Sequence, residues 1–292
     1  MKDNFLLVIN PTAGSISVEE VEGKAKAWSV ELDFNLEIYK TTGEDDEARV
    51  EELLQEKEYK RVIVAGGDGT INMVASKLLN KDIVLGILAC GSANGLAASF
   101  QIPKKLDEQF KIALEHRPLA MDTLFVNDRF CAHIADIGIN AELIYNYETS
   151  KASGMLGYAR QSIPTLFKSN YPYEFKIKIE DKVIEGKGVL LAFANAKKYG
   201  TNAIINPKGK IDDGSFEVIL FKRLNIWEVL KTFLKNTRNK EVYMEIYKTK
   251  SVSVNCKTPI ALQVDGEFIG EYDTFSAQIK PQSLKLAVPN PK

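Results

Sequence analysis

Cysteine and histidine are scarce in this chain of 292 residues, which has three of the first and two of the second. Cys90, Cys131 and Cys256 are widely spaced, odd in number and without a partner motif, which argues for a reducing compartment. His116 and His133 show no metal-ligand spacing and read as structural. Nowhere do about 18 apolar residues run together, so a spanning helix is excluded. Met1-Lys2-Asp3-Asn4 runs directly into a strand-like Phe5-Leu6-Leu7-Val8-Ile9, without a secretory signal. Charge of one sign is also missing: 38 Lys+Arg against 39 Asp+Glu leave a formal charge of -1. No global field therefore draws the chain to nucleic acid or anionic membrane, and any such attraction must be local. No internal repeat or low-complexity tract is present. The expectation is a soluble cytoplasmic protein.

What the chain does have is 45% apolar residues and enough length for two domains. Its most informative stretch is Arg61 to Val74. The β-branched run Val62-Ile63-Val64 ends in Gly66-Gly67-Asp68-Gly69-Thr70, and Ile71, Val74 and Leu78 then recur at the spacing of one helix face. Strand, glycine turn and helix follow from this pattern. Glycines at such a junction allow close approach of a ligand, and the free N–H groups of the helix suit an anion, usually phosphate. Asp68 would repel that anion unless a metal or proton intervened, so the turn suggests a phosphate–metal complex. The bland alternative is an ordinary tight turn with a solvated Asp.

The same organisation recurs along the first 120 residues. Phe5–Ile9 breaks at Asn10-Pro11-Thr12-Ala13-Gly14, and Ser17-Val18-Glu19-Glu20 is a capping box opening a helix. A strand near Phe34 to Tyr39 ends at Thr41-Thr42-Gly43 and is followed by an acidic helix. Ile83 to Leu88 ends at Cys90-Gly91-Ser92-Ala93-Asn94-Gly95, with a short helix to Phe100. This alternation predicts a doubly wound parallel α/β sheet whose strand ends gather ligands on one edge.

Near Asp122 the pattern changes. Thr123–Val126 and Arg129–Ile134 read as a hairpin around Asn127-Asp128. Strands are expected at Tyr173–Ile179, with a turn at Asp181-Lys182, at Gly188–Ala194, Phe216–Phe221, Ser251–Val254, Ile260–Val264 and Thr274–Ile279. Together they predict an antiparallel β-sandwich. The expected domains are 1–122, with 281–292 as a candidate return, and 123–280. Apolar helical insertions are expected at 140–168, where Met155, Leu156, Tyr158, Ile163 and Phe167 could line an apolar pocket or equally be ordinary core, and at 225–239, a basic helix packed on the sandwich or lying on a membrane surface.

These segments resemble the diacylglycerol kinase catalytic family, which includes sphingosine and ceramide kinases and soluble bacterial lipid kinases. The resemblance spans nearly the whole chain. It rests on Asn10-Pro11-x-x-Gly14, Gly66-Gly67-Asp68-Gly69-Thr70 with Asn72, Leu85-Gly86-Ile87-Leu88 leading to Gly91-Ser92-Ala93-Asn94, and Asp265-Gly266-Glu267. It implies ATP and Mg²⁺, with Gly66, Gly67, Asp68, Gly69 and Thr70 under the phosphates and Asn10, Pro11 and Gly14 beside them. Gly91, Ser92 and Asn94 join the same site, and Thr41 or Thr42 lies near the ribose or adenine. The family's frequent His after that Thr is replaced here by Glu47-Ala48.

The resemblance further implies Asp265 as the base that deprotonates the acceptor hydroxyl, with Glu267 close to metal or substrate. Asp68 would hold Mg²⁺ through water, and Asp212 and Asp213 would hold a structural Mg²⁺. Taken alone, Asp265-Gly266 reads as a type I′ hairpin turn, and Asp212-Asp213-Gly214 as a plain β-turn. Gly95-Leu96-Ala97-Ala98-Ser99 replaces the acidic residue that many bacterial members carry after Asn94. Asp136 stands where sphingosine kinases bind an amino-alcohol head group, or else caps the helix starting near Asn140. The expected partners are ATP and a diacylglycerol- or sphingoid-type lipid alcohol, with a membrane surface and a homodimer as further candidates and no nucleic acid. Alternatives are an NAD-kinase-like or other small-molecule kinase, and a non-catalytic nucleotide or lipid sensor.

Overall fold

The computed structural model describes residues 2–14, 17–91, 94–148, 172–195, 198–199, 203–204, 206, 209–222 and 244–289. Contacts divide the chain into two compact units: Met1–Asp122 with Gln282–Lys292, and Thr123–Pro281.

The first unit alternates strand and helix: β1 (Asn4–Ile9), α1 (Val18–Glu31), β2 (Asn35–Lys40), α2 (Asp46–Glu56), β3 (Arg61–Gly66), α3 (Asp68–Lys77), β4 (Val84–Ala89), α4 (Gly95–Ser99) and α5 (Leu106–Glu115). The strands are all parallel in the order β4-β3-β1-β2. β1, β3 and β4 are near-continuous apolar runs, as strands covered on both faces must be. Phe5, Leu7, Ile63, Leu88, Phe110 and Leu114 pack in one cluster of this core. Ser17 caps α1, its Oγ accepting the Glu20 N–H at 3.0 Å. Lys285 and Leu286 pair in parallel with Val84 and Leu85, adding a fifth strand beside β4.

β5 (Pro118–Val126) leads into the second unit, which contains β6 (Arg129–Cys131), β7 (Ile134–Gly138), α6 (Ile139–Glu148), β8 (Tyr173–Ile179), β9 (Lys182–Gly188) and β10 (Leu190–Ala194). The short pair β11 (Lys198–Tyr199) and β12 (Ala203–Ile204) follows, then β13 (Phe216–Phe221), β14 (Met244–Thr249), β15 (Ser251–Val264) and β16 (Glu267–Ala287). Asn127 and Asp128, with φ of 45° and 60°, make the type I′ turn between β5 and β6.

β15 serves two layers. Ser253–Cys256 pair with β8, whereas Leu262–Val264 pair with β7, and a bulge between Asn255 and Ile260 separates the two halves. One strand turning the corner of a sandwich in this way is how such layers are joined. Phe175, Phe193, Phe216, Val254, Leu262 and Phe275 fill the space between them. The fold is thus α/β followed by an antiparallel β-sandwich.

Several details differ from the sequence pattern. The turn after β8 falls on Glu180-Asp181, because Ile179 pairs with Lys182, which already opens β9. Ser251–Val254 and Ile260–Val264 are one strand. The strand anticipated at Gly188–Ala194 breaks at Val189, whose N–H bonds to Phe221 O at 2.8 Å. Beyond Glu148 the 140–168 insertion lies outside the described residues, as do the 225–239 helix and the five pocket candidates from Met155 to Phe167.

Candidate functional site

In the first unit the parallel order reverses direction between β1 and β3, and the crevice beyond the carboxyl ends of those strands is where open α/β sheets take ligands. A cavity of about 290 Å³ lies there. Asn10, Pro11 and Thr12 contribute from the end of β1, Thr41, Thr42 and Gly43 from the end of β2, and Gly69, Thr70 and Met73 from the start of α3, with Asp46 from α2.

Each wall is held by a specific bond. Asn10 Nδ2 donates to Thr70 Oγ1 at 2.9 Å, and Asn10 Oδ1 accepts from the backbone N–H and hydroxyl of Thr12. The Thr41–Gly43 loop is organised by Asp46. Its Oδ1 accepts the Thr42 N–H at 2.8 Å and the Tyr39 hydroxyl at 2.5 Å, and its Oδ2 accepts the Gly43 N–H at 2.8 Å. Burial works against the ionised form of Asp46, but the Tyr39 hydroxyl and loop amides outweigh it and hold the carboxyl below its ordinary value. Burial and the same contact push the Tyr39 phenol up to about 12.

Beside this cavity the glycine elbow is closely packed. A Cβ on Gly91 would lie 2.6 Å from Gly67 Cα, so the two turns approach nearer than any side chain permits. Asn94, at φ 50°, brackets Gly91 by accepting its N–H at 2.9 Å and donating to its carbonyl at 2.6 Å. α3 is preceded by Gly67, which offers no side-chain cap, and among the described residues no side chain bonds the N–H groups of its first turn. Asp68 turns instead toward α4: Oδ2 accepts the Gly95 N–H at 2.9 Å, and Oδ1 accepts the Leu96 N–H at 3.3 Å. Its charge is therefore partly met by the amides opening α4. Gly95 stands where an acidic side chain would place its Cβ 3.9 Å from both Asp68 oxygens, so its absence leaves one carboxylate here rather than two. Gly14 has open space around it, and Ser92 lies outside the described residues.

In the second unit Asp265 and Gly266, with φ of 50° and 95°, form the two-residue turn joining Val264 to Glu267. This is the type I′ geometry that Asp-Gly favours. The Asp265 carboxylate points back into its own unit: Oδ2 accepts the Ala132 N–H at 2.8 Å, and Oδ1 accepts those of His133 and Ile134, each at 3.0 Å. Burial pushes this carboxyl up to about 6, against the downward pull of the three amides. Glu267 is exposed at the start of β16.

Asp136 lies in the middle of β7 and is fully buried, so it does not cap a helix; α6 starts three residues later. It accepts from Gln263 and Asn140. Asp213 pairs with Lys248 at 2.6 Å and accepts the Ser215 hydroxyl at 2.7 Å, while Asp212 is exposed. Among the described residues no group of three or more His, Cys, Asp or Glu side chains is gathered as for a metal. His116 Nδ1 lies 3.0 Å from Val288 O, and His133 is buried, its imidazole lowered to about 4. Asp46, Thr12, Met73 and Gln263 were not singled out by the sequence. Only Asp46 left a trace there, as an acidic helix-opening residue four positions after Thr42.

The family profile of the diacylglycerol kinase catalytic domain matches residues 4–126, and that of the YegS C-terminal NAD kinase beta sandwich-like domain matches residues 135–288. The chain belongs to the diacylglycerol kinase family. Its relatives in that family include a "Probable lipid kinase YegS-like" from Chromohalobacter salexigens, 27% identical over 296 residues that cover 98% of this chain and 93% of that one. The diacylglycerol kinase of Bacillus subtilis is 25% identical over 272 residues, covering 90% and 89%. A solved structure of a putative diacylglycerol kinase from Bacillus anthracis aligns with a TM-score of 0.78 at 20% identity, over 99% of this chain and 98% of that one. This last likeness establishes the shared fold. No helix among the described residues is long and apolar enough to cross a membrane.

Proposed function

We propose that the chain is an ATP-dependent lipid kinase that transfers the γ-phosphoryl group to the hydroxyl of a diacylglycerol- or sphingoid-type lipid. The observation that carries this reading is the cavity at the β1/β3 reversal, floored by an α3 N-terminus free of a side-chain cap. That combination suits a nucleotide whose phosphates accept backbone N–H bonds. Thr41, Thr42 and Gly43 then face the ribose or base, and Asn10 and Thr70 the phosphate chain.

Asp68 is a hard oxygen donor with one backbone bond to each oxygen, and it fits a Mg²⁺ ion held directly or through water. When bound, Mg²⁺ neutralises charge on the phosphates. The donors around Asp213 are those of an ion-paired turn, which favours Asp68 over Asp212 and Asp213 for this task.

In the proposed step the lipid hydroxyl oxygen attacks the γ-phosphorus and the bond to the bridging oxygen breaks, with ADP leaving. The hydroxyl proton passes to Asp265, whose raised value places a base near working pH. The test is labelled ATP with a panel of lipid alcohols in micelles, with NAD as a further acceptor. Label in a phospholipid product supports the reading. Label in NADP would replace it with a dinucleotide kinase, and ATP binding without any turnover would replace it with a sensor.

A further inference from the structure

Gln263 and Asp136 face each other across β15 and β7, exposed by 1% and 0%. Interior positions of neighbouring strands ordinarily carry apolar side chains, and a polar pair there adds little to stability over a well-packed apolar pair. The reason for this pair lies in where the Gln263 amide reaches. Nε2 donates to Asp136 Oδ2 at 2.5 Å, and Oε1 accepts the N–H of Gly266 at 2.8 Å. Asn140 Nδ2, from α6, donates to the same Asp136 oxygen at 2.9 Å.

Gly266 is the second central residue of the turn whose first is Asp265. Asp265 at φ 50° lies in the left-handed region that a type I′ turn requires, so where its carboxylate sits depends on what holds the turn. The turn is held on two sides. The amides of Ala132, His133 and Ile134 grip the Asp265 carboxylate, and Ile134 O accepts the Asp265 N–H at 2.8 Å. Gln263 holds the Gly266 side and is itself anchored by Asp136.

We propose that Gln263 is a positioning residue for Asp265, fixing the turn that carries the base, and that Asp136 anchors Gln263 from within the sheet. The proposal rests on the assignment of Asp265 as the base. It gives Asp136 Oδ2 a role within the sheet, as acceptor for Gln263 and Asn140. A base displaced by a fraction of an ångström loses alignment with the hydroxyl while the binding sites for ATP and lipid stay intact.

The test uses the full chain with Gln263→Met, Asp136→Asn, Asp136→Leu and Asp265→Asn, each with kcat, both KM values and a melting curve. Gln263→Met keeps the volume and removes both bonds, and it is expected to lower kcat about 10- to 100-fold with both KM values within about 2-fold. Asp136→Asn retains an acceptor oxygen for Gln263 and should lower kcat less than Asp136→Leu does, by the same factor on cationic and neutral lipids, whereas Asp136→Leu should behave as Gln263→Met does. A Gln263→Met enzyme with wild-type kcat overturns the proposal, as does Asp136→Asn that selectively loses sphingoid bases. Should Gln263→Met fail to fold, Gln263→Asn, too short to span both partners, carries the same expectation. Full activity in Asp265→Asn would instead refute the assignment of the base.

Discussion

Asn10 Nδ2 donates to Thr70 Oγ1 at 2.9 Å, so the end of the first strand holds the first turn of a helix sixty residues later. Two walls of one cavity are thereby set by a single amide group.

Replacing Asn10 by alanine strands the Thr70 hydroxyl and removes the acceptor for Thr12. The expected loss is about 1–2 kcal/mol in a urea unfolding curve. On the proposed function, KM for ATP rises about 10-fold and kcat changes less.

Gly91→Ala and Gly14→Ala should separate sharply. The first drives a methyl into the backbone of Gly67 and is expected to cost about 1–3 kcal/mol. The second meets nothing within 4 Å and should stay within about 0.5 kcal/mol of wild type. Equal melting temperatures for the two variants would contradict the packing of the elbow.

Asp46→Ala removes the acceptor shared by Tyr39, Thr42 and Gly43. Nucleotide affinity, followed by a fluorescent ATP analogue, should fall while lipid KM holds. Because the folded carboxyl is held below its ordinary value, its stabilising effect is present above about pH 3.9 and is lost as pH falls further. The melting temperatures of wild type and Asp46→Ala should therefore converge in acid.

Asp265 carries the opposite sign. With its carboxyl pushed up to about 6, the base is protonated below that pH, and kcat/KM should fall about tenfold per unit on the acid side. Its effect on stability also reverses: ionising the buried group costs folding energy, so this contribution is fully present below the unfolded value near 3.9 and is lost as pH rises through about 6. Asp265→Asn should remove the acid limb from whatever activity remains.

The strand–glycine–helix units were legible because each is contiguous and announces itself by period and punctuation. Arg61–Lys77 is the clearest case, and Ser17 was readable as a cap from its neighbour Glu20. β9 and β14 were not. The first carries two glycines and few buried residues, and the second alternates only partly buried side chains, so neither has a strong apolar rhythm. The bulge that joins 251–254 to 260–264 was hidden by the polar Asn255-Cys256-Lys257-Thr258 between them.

At the candidate site the residue types were readable and their partners were not. Asp68 was visible as a carboxylate in a glycine turn, yet its bonds run to amides at 95 and 96. Gln263 looked like one polar residue in an apolar strand, and its meaning depends on Asp136, 127 positions earlier. Such contacts leave no local period.

The pairing of Lys285 and Leu286 with β4 has a consequence for biosynthesis. The edge of β4 waits for a partner about 200 residues downstream, since Val84 pairs with Lys285, which at ordinary ribosomal speed is a delay of roughly 10–40 s. During that interval the nascent chain presents an unpaired apolar strand margin, the kind of surface that chaperones shield.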